Sequence, residues 1–245
     1  MATNKNSGHS IAKASESTDT YSGHGNAQGA AGVREGSIAI QDMLDKSGES
    51  GLISPPEGGF SNMHIGLAWN NIIVEKAGGF MGLMKKAMKS GVDIDLGCFF
   101  ELKNGTRGIL QPFGNLHGNL DDIPYIALSG DERTGDKEGD DEYLTINGQK
   151  WSEIERVLIY TYIYKGSSDW SQIRPELSIN IEKGEENLVI KPGLKTNNMT
   201  VCALASLKNV KNGIQIMTHG EYFTSQASMD RAFGFGLNWE DGAKS

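Results

Sequence analysis

The chain has 245 residues, of which 38% are hydrophobic, and it carries a formal net charge of −8. This length and hydrophobic content allow one large packed domain or two small ones. The charge and the lack of a basic run argue against a nucleic-acid partner, because phosphate binding needs a dense basic face. No apolar run comes near the length of about 18 residues that a membrane span requires, and the first residues lack the apolar region of a signal peptide. We therefore expect a cytoplasmic protein with no membrane span.

The first 59 residues divide into a leader, a short periodic segment and a linker. Residues 1–36 are mostly Gly, Ser, Ala, Asn, Thr and His, a composition that cannot offset the entropy of ordering and so predicts a disordered leader. Residues 37–47 have the pattern of a short docking helix or strand, and residues 48–59, which include Pro55 and Pro56, are typical of a linker. The expected domain boundaries are 1–59 for leader and linker and 60–245 for the folded domain.

Short strand patterns fill the rest of the chain. They cover residues 64–69, 93–102, 108–111, 125–129, 143–146, 156–164, 176–181, 188–191, 200–208, 213–222 and 233–239. With Gly, Asn and Asp turns between them and almost no helical periodicity, these strands predict an all-β fold, an antiparallel β-sandwich of two sheets. Residues 156–164 are bulky on both faces and predict a central strand. Cys98 and Cys202 lie in apolar strands and favour reduced core residues over a disulfide.

One segment has helical spacing instead. Phe80, Leu83, Met84 and Ala87 repeat at the helical period within residues 80–89, and lysines occupy other positions. The pattern predicts a short amphipathic helix that covers an open end of the sandwich. The alternative is a Met-rich basic helix that docks on a partner or on an anionic membrane surface.

An acidic loop separates two of the predicted strands. Residues 130–142 contain seven carboxylates and three glycines. Carboxylate and carbonyl oxygens are what calcium prefers, and glycines let a short loop turn its carbonyls inward. The loop lacks the EF-hand pattern, since Arg133 and Gly135 occupy its third and fifth positions counted from Asp131. The loop alone leaves a cation site and a solvated acidic hairpin equally open.

A second acidic pair favours the cation. Strand alternation places Asp93 and Asp95 on one face and Ile94 and Leu96 on the other. Two acids on one face of a core strand repel each other unless a cation or hydrogen-bond donors compensate.

The sequence gives little support for a zinc site, a catalytic nucleophile or a phosphate-binding loop. The five histidines and two cysteines show no zinc-ligand spacing, and no nucleophile motif is present. Gly234 and Gly236 form a lone Gly-x-Gly, which predicts a strand or bulge rather than a phosphate cradle.

The loop is similar to the acidic loop of the TerD family of tellurite-resistance and stress proteins, almost position by position. Further motifs resemble the TerA branch of that family, in the same order along roughly residues 60–244. They are residues 93–105, 114–115, 124–126, 163–166 with Trp170, 199–205, Tyr222 and 229–239.

The resemblance implies a non-enzymatic, calcium-binding β-sandwich in the stress response, acting as a scaffold or sensor. It also implies other Ter-type proteins as partners, at the inner membrane surface. The motif match implies these metal ligands: Asp93, Asp95, Asp131, Glu132, Thr134, Asp140, Asp141 and Glu142. Glu132 replaces the usual Asn or Asp of the family. Two alternatives stay open, a calcium-independent interaction module with a solvated acidic loop and a hydrolase that uses the loop carboxylates.

Overall fold

Two six-stranded antiparallel sheets form the architecture. A computed structural model describes residues 10–13, 48–69, 74–75, 89–90, 92–129, 142–166, 169–182, 185–190 and 199–241. The sheet that we call the β10 sheet has the spatial order β13 (Glu185–Ile190), β12 (Glu176–Glu182), β3 (Met63–Ala68), β10 (Glu142–Ile146), β9 (Ile126–Leu128) and β8 (Gly118–Asn119). The β6 sheet has the order β2 (Ser50–Ile53), β15 (Gly213–Phe223), β14 (Val201–Val210), β11 (Ile154–Lys165), β6 (Asp93–Leu102) and β7 (Arg107–Leu110).

The fold also contains smaller elements besides the two sheets. Two separate two-stranded ladders pair β1 (Ser10–Lys13) with β16 (Asn238–Asp241) and β4 (Val74–Glu75) with β5 (Lys89–Ser90). Within the described ranges, the helical elements are a 3-10 helix at Gly148–Glu153, α1 (Trp170–Ile173) and α2 (Gln226–Phe233). Among the helices of these described ranges, none has the length and apolar character needed to cross a membrane.

Alternation along the strands builds the core between the sheets. On β6, Ile94 and Leu96 join one large buried cluster with residues of the β10 sheet, whereas Phe99 belongs to a second cluster on the outer face. This arrangement confirms the predicted two-sheet antiparallel sandwich. β11 lies between β14 and β6 and is an inner strand, as its bulky residues indicate. Cys98 and Cys202 are buried and are not joined in a disulfide, as expected.

Residues 226–239, which we call the C-terminal cover, pack on the outer face of the β6 sheet. Here the predicted strand 233–239 is wrong for residues 233–237, whereas Asn238 and Trp239 begin β16. Ser225 and Ser228 form a capping box that starts α2, and Gly234, with φ of 68°, ends it. Gly234 is therefore a helix C-cap and not part of a strand or bulge. Phe235 and Leu237 are buried against the sheet. Their spacing gives the period-two alternation of a strand, although neither residue pairs with another strand. An eight-residue helix defined by its caps leaves too short a periodic pattern to detect.

Pairing also reaches into the segment expected to be leader and linker. Ser50–Ile53 forms an edge strand on β15, with Ser50 opposite Met217, and Ser10–Lys13 pairs with Asn238–Asp241. Of the predicted amphipathic helix, residues 80–88 lie outside the described residues, and Lys89 belongs to β5.

Candidate metal centre

Two acids begin β6 on its outer face. Asp93 and Asp95 are only 9% and 4% exposed. Their neighbours Ile94 and Leu96 point into the core between the sheets, so the two carboxylates lie on the opposite face of the strand. The structure thus places them on one side, as alternation predicts.

Tyr162 lies directly opposite Asp95 on the neighbouring strand. Burial raises the pKa of the Tyr162 phenol well above its ordinary value, and the charge and a hydrogen bond of Asp95, with a further contribution from Glu142, add to the rise. The phenol therefore keeps its proton at neutral pH and serves as a donor beside the carboxylates. The shared effect on Tyr162 shows that Asp95 and Glu142 occupy the same region.

Glu142 arrives from the other sheet. It is the first residue of β10, is 1% exposed, and its Oε2 accepts a hydrogen bond from the backbone N–H of Leu96 at 2.5 Å. β7 pairs with β6 only as far as Leu110 opposite Cys98, so Leu96 lies beyond the end of β7. Glu142 therefore ties the start of β10 to the edge of β6 and brings a third carboxylate to this end of the sandwich.

The acidic loop begins and ends beside these carboxylates. The backbone N–H of Ser129 donates to the Tyr143 carbonyl at 2.8 Å, and the N–H of Tyr143 donates to Ser129 Oγ at 3.0 Å, so both ends of segment 130–141 are held together. Five predicted ligands lie in this segment, outside the described residues: Asp131, Glu132, Thr134, Asp140 and Asp141. The last of them directly precedes Glu142 in the chain.

The donor chemistry suits a hard cation, but the described residues do not complete a site. Calcium takes about six to eight oxygen ligands. In the part of the chain that the structure describes, no group of three or more His, Cys, Asp or Glu side chains is arranged to hold a metal ion. One oxygen of Glu142 is committed to Leu96. A metal site at this end therefore requires ligands from segment 130–141.

Sequence reasoning missed two parts of this region, Tyr162 and the N–H of Leu96. In the sequence, Tyr162 is recognisable only as a bulky residue of an inner strand. Its position opposite Asp95 depends on the register between two strands, which the pattern of one strand does not reveal. The hydrogen bond from Leu96 to Glu142 joins residues that are 46 positions apart and lie in different sheets, so no local sequence pattern predicts it.

A serine, a histidine and a glutamate also lie in a row on the β6 sheet. Ser206 Oγ is 2.9 Å from His219 Nε2, but His219 Nδ1 is 3.9 Å from Glu221 Oε1, beyond hydrogen-bond length. Burial lowers the pKa of His219 to about 4, which makes it a weak base at neutral pH, and its ring packs edge-on against Phe233. This row is a packing contact beneath the C-terminal cover and lacks the linked hydrogen bonds of a catalytic triad.

The sequence match decides the family. The chain is 37% identical over 187 residues to the tellurium resistance protein TerA of an Alcaligenes species. The chain belongs to the TerD family, as a TerA-like member. The match covers 76% of this chain and 53% of that relative, so the TerA-like chain spans about half the length of the curated relative it matches. No protein-family model matches the chain.

Solved structures show a looser likeness to this TerA-like chain. A crystallised homologue of the telluride resistance protein TerD from Streptomyces coelicolor A3(2) is 15% identical, with a TM-score of 0.45, over 70% of this chain and 95% of its own. A crystallised protein of unknown function is 16% identical, with a TM-score of 0.41, over 72% of this chain and 98% of its own. Both scores lie below 0.5, so the family assignment rests on the sequence match.

Proposed function

We propose that this TerA-like protein is a non-enzymatic calcium-binding protein of the stress response, acting in the cytoplasm in resistance to tellurium compounds. The observation that supports this most directly is that buried Asp95 and Glu142, from different sheets, both act on Tyr162, while Asp93 lies on the same face of β6 as Asp95. These residues come from both sheets, and Glu142 ends the acidic loop. Clustered buried carboxylates repel one another unless positive charge or donors compensate.

The proposed ligands divide into a rigid and a loop group. Asp93, Asp95 and the second carboxylate oxygen of Glu142 belong to strands, whereas Asp131, Glu132, Thr134, Asp140 and Asp141 come from segment 130–141. When bound, calcium supplies the positive charge that neutralises these carboxylates. Leu96 orients Glu142 through its N–H, and the protonated Tyr162 phenol lies beside Asp95 on the neighbouring strand.

The proposed role is that of a scaffold or sensor. In a sensor, calcium converts a repelling acidic loop into an ordered, nearly neutral surface that a partner recognises. The partners are proposed to be other Ter-type proteins, met at the inner membrane surface. In a scaffold, the same ion is a permanent structural element of the sandwich.

Calorimetric titration with calcium tests the proposal. We expect saturable binding to the full chain, lost in Asp95→Asn and in the double variant Asp131→Asn with Asp140→Asn. Asp121→Asn is the matched control, because Asp121 is an exposed acid in the turn between β8 and β9, and its binding curve should equal that of the unchanged protein. Equal curves for all variants, or no binding heat, would reject the calcium site in favour of a calcium-independent interaction module. Metal-dependent turnover of ester or phosphoester substrates would reject the non-enzymatic role.

A further inference from the structure

The strand β2 lies at one edge of the β6 sheet, and a fixed hydrogen-bond pattern holds it there. The N–H of Gly48 donates to the Thr218 carbonyl at 2.9 Å, and the N–H of Thr218 donates to the Glu49 carbonyl at 3.0 Å. β2 continues this antiparallel pairing with β15. Because main-chain groups alternate in direction along an antiparallel strand, those of Ser50 and Leu52 point away from β15. These two residues therefore present their main-chain donors and acceptors at the sheet edge.

The three other edges of the two sheets have features that discourage a further strand. β13 begins with Glu185 and Glu186, β7 begins with Arg107 and has β1 close to it, and β8 has only two residues. Charges, a covering segment and a very short strand are the usual protections of a sheet edge. β2 has the sequence Ser-Gly-Leu-Ile, four residues without a charge. Among the four edges that the described residues form, β2 is therefore the best suited to accept another strand.

Two exposed apolar side chains accompany this edge on the outer face of the sheet. Ile53 and Ile216 contact the core between the sheets, so alternation places Leu52 and Met217 on the opposite face. Their side chains are 44% and 37% exposed. The small Ser50 follows Leu52 along the same face of β2 and lies opposite Met217. The edge thus combines outward main-chain groups with two apolar side chains and a gap above a serine.

We propose that β2 is a homodimer interface, in which the β2 strands of two copies pair antiparallel about a twofold axis at Gly51. In this register Ser50 of each copy lies opposite Leu52 of the other, and the outward main-chain groups form about four hydrogen bonds. Each Leu52 side chain then fills the gap above the opposite Ser50 and contacts Met217 beyond it. The same patch is complementary to itself, as a twofold interface requires.

The charges of the two copies stay apart in this arrangement. Each chain has a net charge of −8, which opposes association in general. Ser50–Ile53 is uncharged, and so are Gln215 and Met217, the residues beside it on the outer face of β15. The two Glu49 residues lie at opposite ends of the paired strands, roughly 14 Å apart. That separation exceeds the screening length of about 8 Å at physiological ionic strength.

The candidate metal centre does not take part in this interface. Its carboxylates begin β6, which is separated from β2 by β15, β14 and β11. Four strand spacings of about 4.8 Å place these acids roughly 19 Å from the edge. The dimer therefore forms equally with calcium or with chelator, and it does not depend on the proposed calcium-binding function.

Analytical ultracentrifugation of the full chain tests the dimer. We expect the measured mass to rise with concentration to twice the chain mass. Leu52→Lys should weaken association at least about tenfold, because each dimer loses two apolar contacts and gains two charges at the pairing edge. Val189→Lys is the matched control, since Val189 is 41% exposed on β13, an edge strand of the other sheet. It should associate like the unchanged protein, and melting curves check that both variants fold.

Disulfide trapping gives a second readout that adds no charge to the edge. Gly51→Cys places a thiol at the proposed twofold axis, and a Cβ at this position meets no described atom within 4 Å. Residues directly opposite each other in such a pair have Cα atoms about 4.5 Å apart, within bridging distance. We expect an intermolecular disulfide at least about tenfold faster than in the control Val189→Cys. The native Cys98 and Cys202 are buried and do not compete.

Three results would overturn the proposal. A single chain mass at every concentration up to the solubility limit would show that the β2 edge does not pair with a second copy. A doubled mass that Leu52→Lys leaves intact would place the contact between copies elsewhere. Equal trapping rates for Gly51→Cys and Val189→Cys would reject pairing about Gly51.

Discussion

Glu142 accepts the N–H of Leu96 at 2.5 Å, so that a side chain of one sheet occupies the strand edge of the other. This contact has a structural role that is separable from calcium. Glu142→Ala removes the acceptor and leaves a buried N–H without its partner, at a cost of about 1–3 kcal/mol. Glu142→Gln keeps a carbonyl oxygen there and should lose less. Chemical denaturation with chelator present measures both variants, and equal losses for Ala and Gln would contradict the acceptor role.

Calcium should raise the melting temperature of the protein, because the ion binds the folded site and not the unfolded chain. At a hundredfold excess over Kd the stabilisation is about 2.7 kcal/mol, or roughly 5–10 °C for a domain of this size. The double variant Asp131→Asn with Asp140→Asn should lose most of the shift. Thermal scans that coincide with calcium and with chelator would be incompatible with the proposed site.

Hydrogen exchange should distinguish a sensor from a scaffold. Segment 130–141 contains six acidic and two basic residues, and its glycines allow it to open with little strain. We expect calcium to increase protection over residues 130–143 while residues 157–164 of the inner strand β11 stay protected throughout. Equal loop protection with and without calcium would favour a preformed structural site.

Arg156 should be a main anchor of the C-terminal cover. Its guanidinium donates to Glu101 Oε2 at 2.6 Å and to the carbonyls of Phe233 and Gly234 at 2.8 and 2.9 Å, and it stacks 4.1 Å from the ring centre of Phe235. Arg156→Ala should cost about 2–3 kcal/mol in unfolding free energy. Lys208→Ala, which removes the exposed lysine opposite Arg156 on β14, should change it by no more than about 0.5 kcal/mol. Similar losses for both variants would contradict the anchor role.

His219 should make the fold sensitive to mild acid. Burial lowers its pKa in the folded protein from 6.5 to about 4. Between these two values the unfolded chain binds a proton that the folded protein does not, so stability is highest above pH 6.5 and falls as the pH decreases to about 4.

Denaturation curves across this pH range measure the effect. His219→Gln should remove its share of the slope. Ser206→Ala should keep that share, because burial rather than the Ser206 hydrogen bond lowers the pKa. A slope unchanged in His219→Gln would assign the acid sensitivity to other groups.

Much of the sandwich follows from the sequence because strands leave a period-two pattern. Asp93–Leu102 is predicted with its observed bounds, and the same alternation places Asp93 and Asp95 on one face. α2 is missed because its capping box and C-cap glycine define it more than its short periodic pattern does. Ser50–Ile53 is missed because a four-residue edge strand with two small residues has a weak pattern, and its pairing with β15 provides most of its stability.

The candidate metal centre can be predicted only in part from the sequence. The acidic residues are recognisable from composition and from the family resemblance. Their convergence depends on strand order and register, which place Glu142 against Leu96 and Tyr162 against Asp95. Such contacts between distant residues follow from the assembled topology, because local patterns carry no information about which strands become neighbours.

The two hydrogen bonds between Ser129 and Tyr143 close the hairpin below segment 130–141. Strand pairing is complete before the chain enters that segment, so the sandwich places few demands on the length or composition of the residues beyond. Insertions and replacements there are therefore tolerated far better than in β9 or β10. Changes in length or composition within residues 130–141 should therefore leave the stability of the sandwich nearly unchanged.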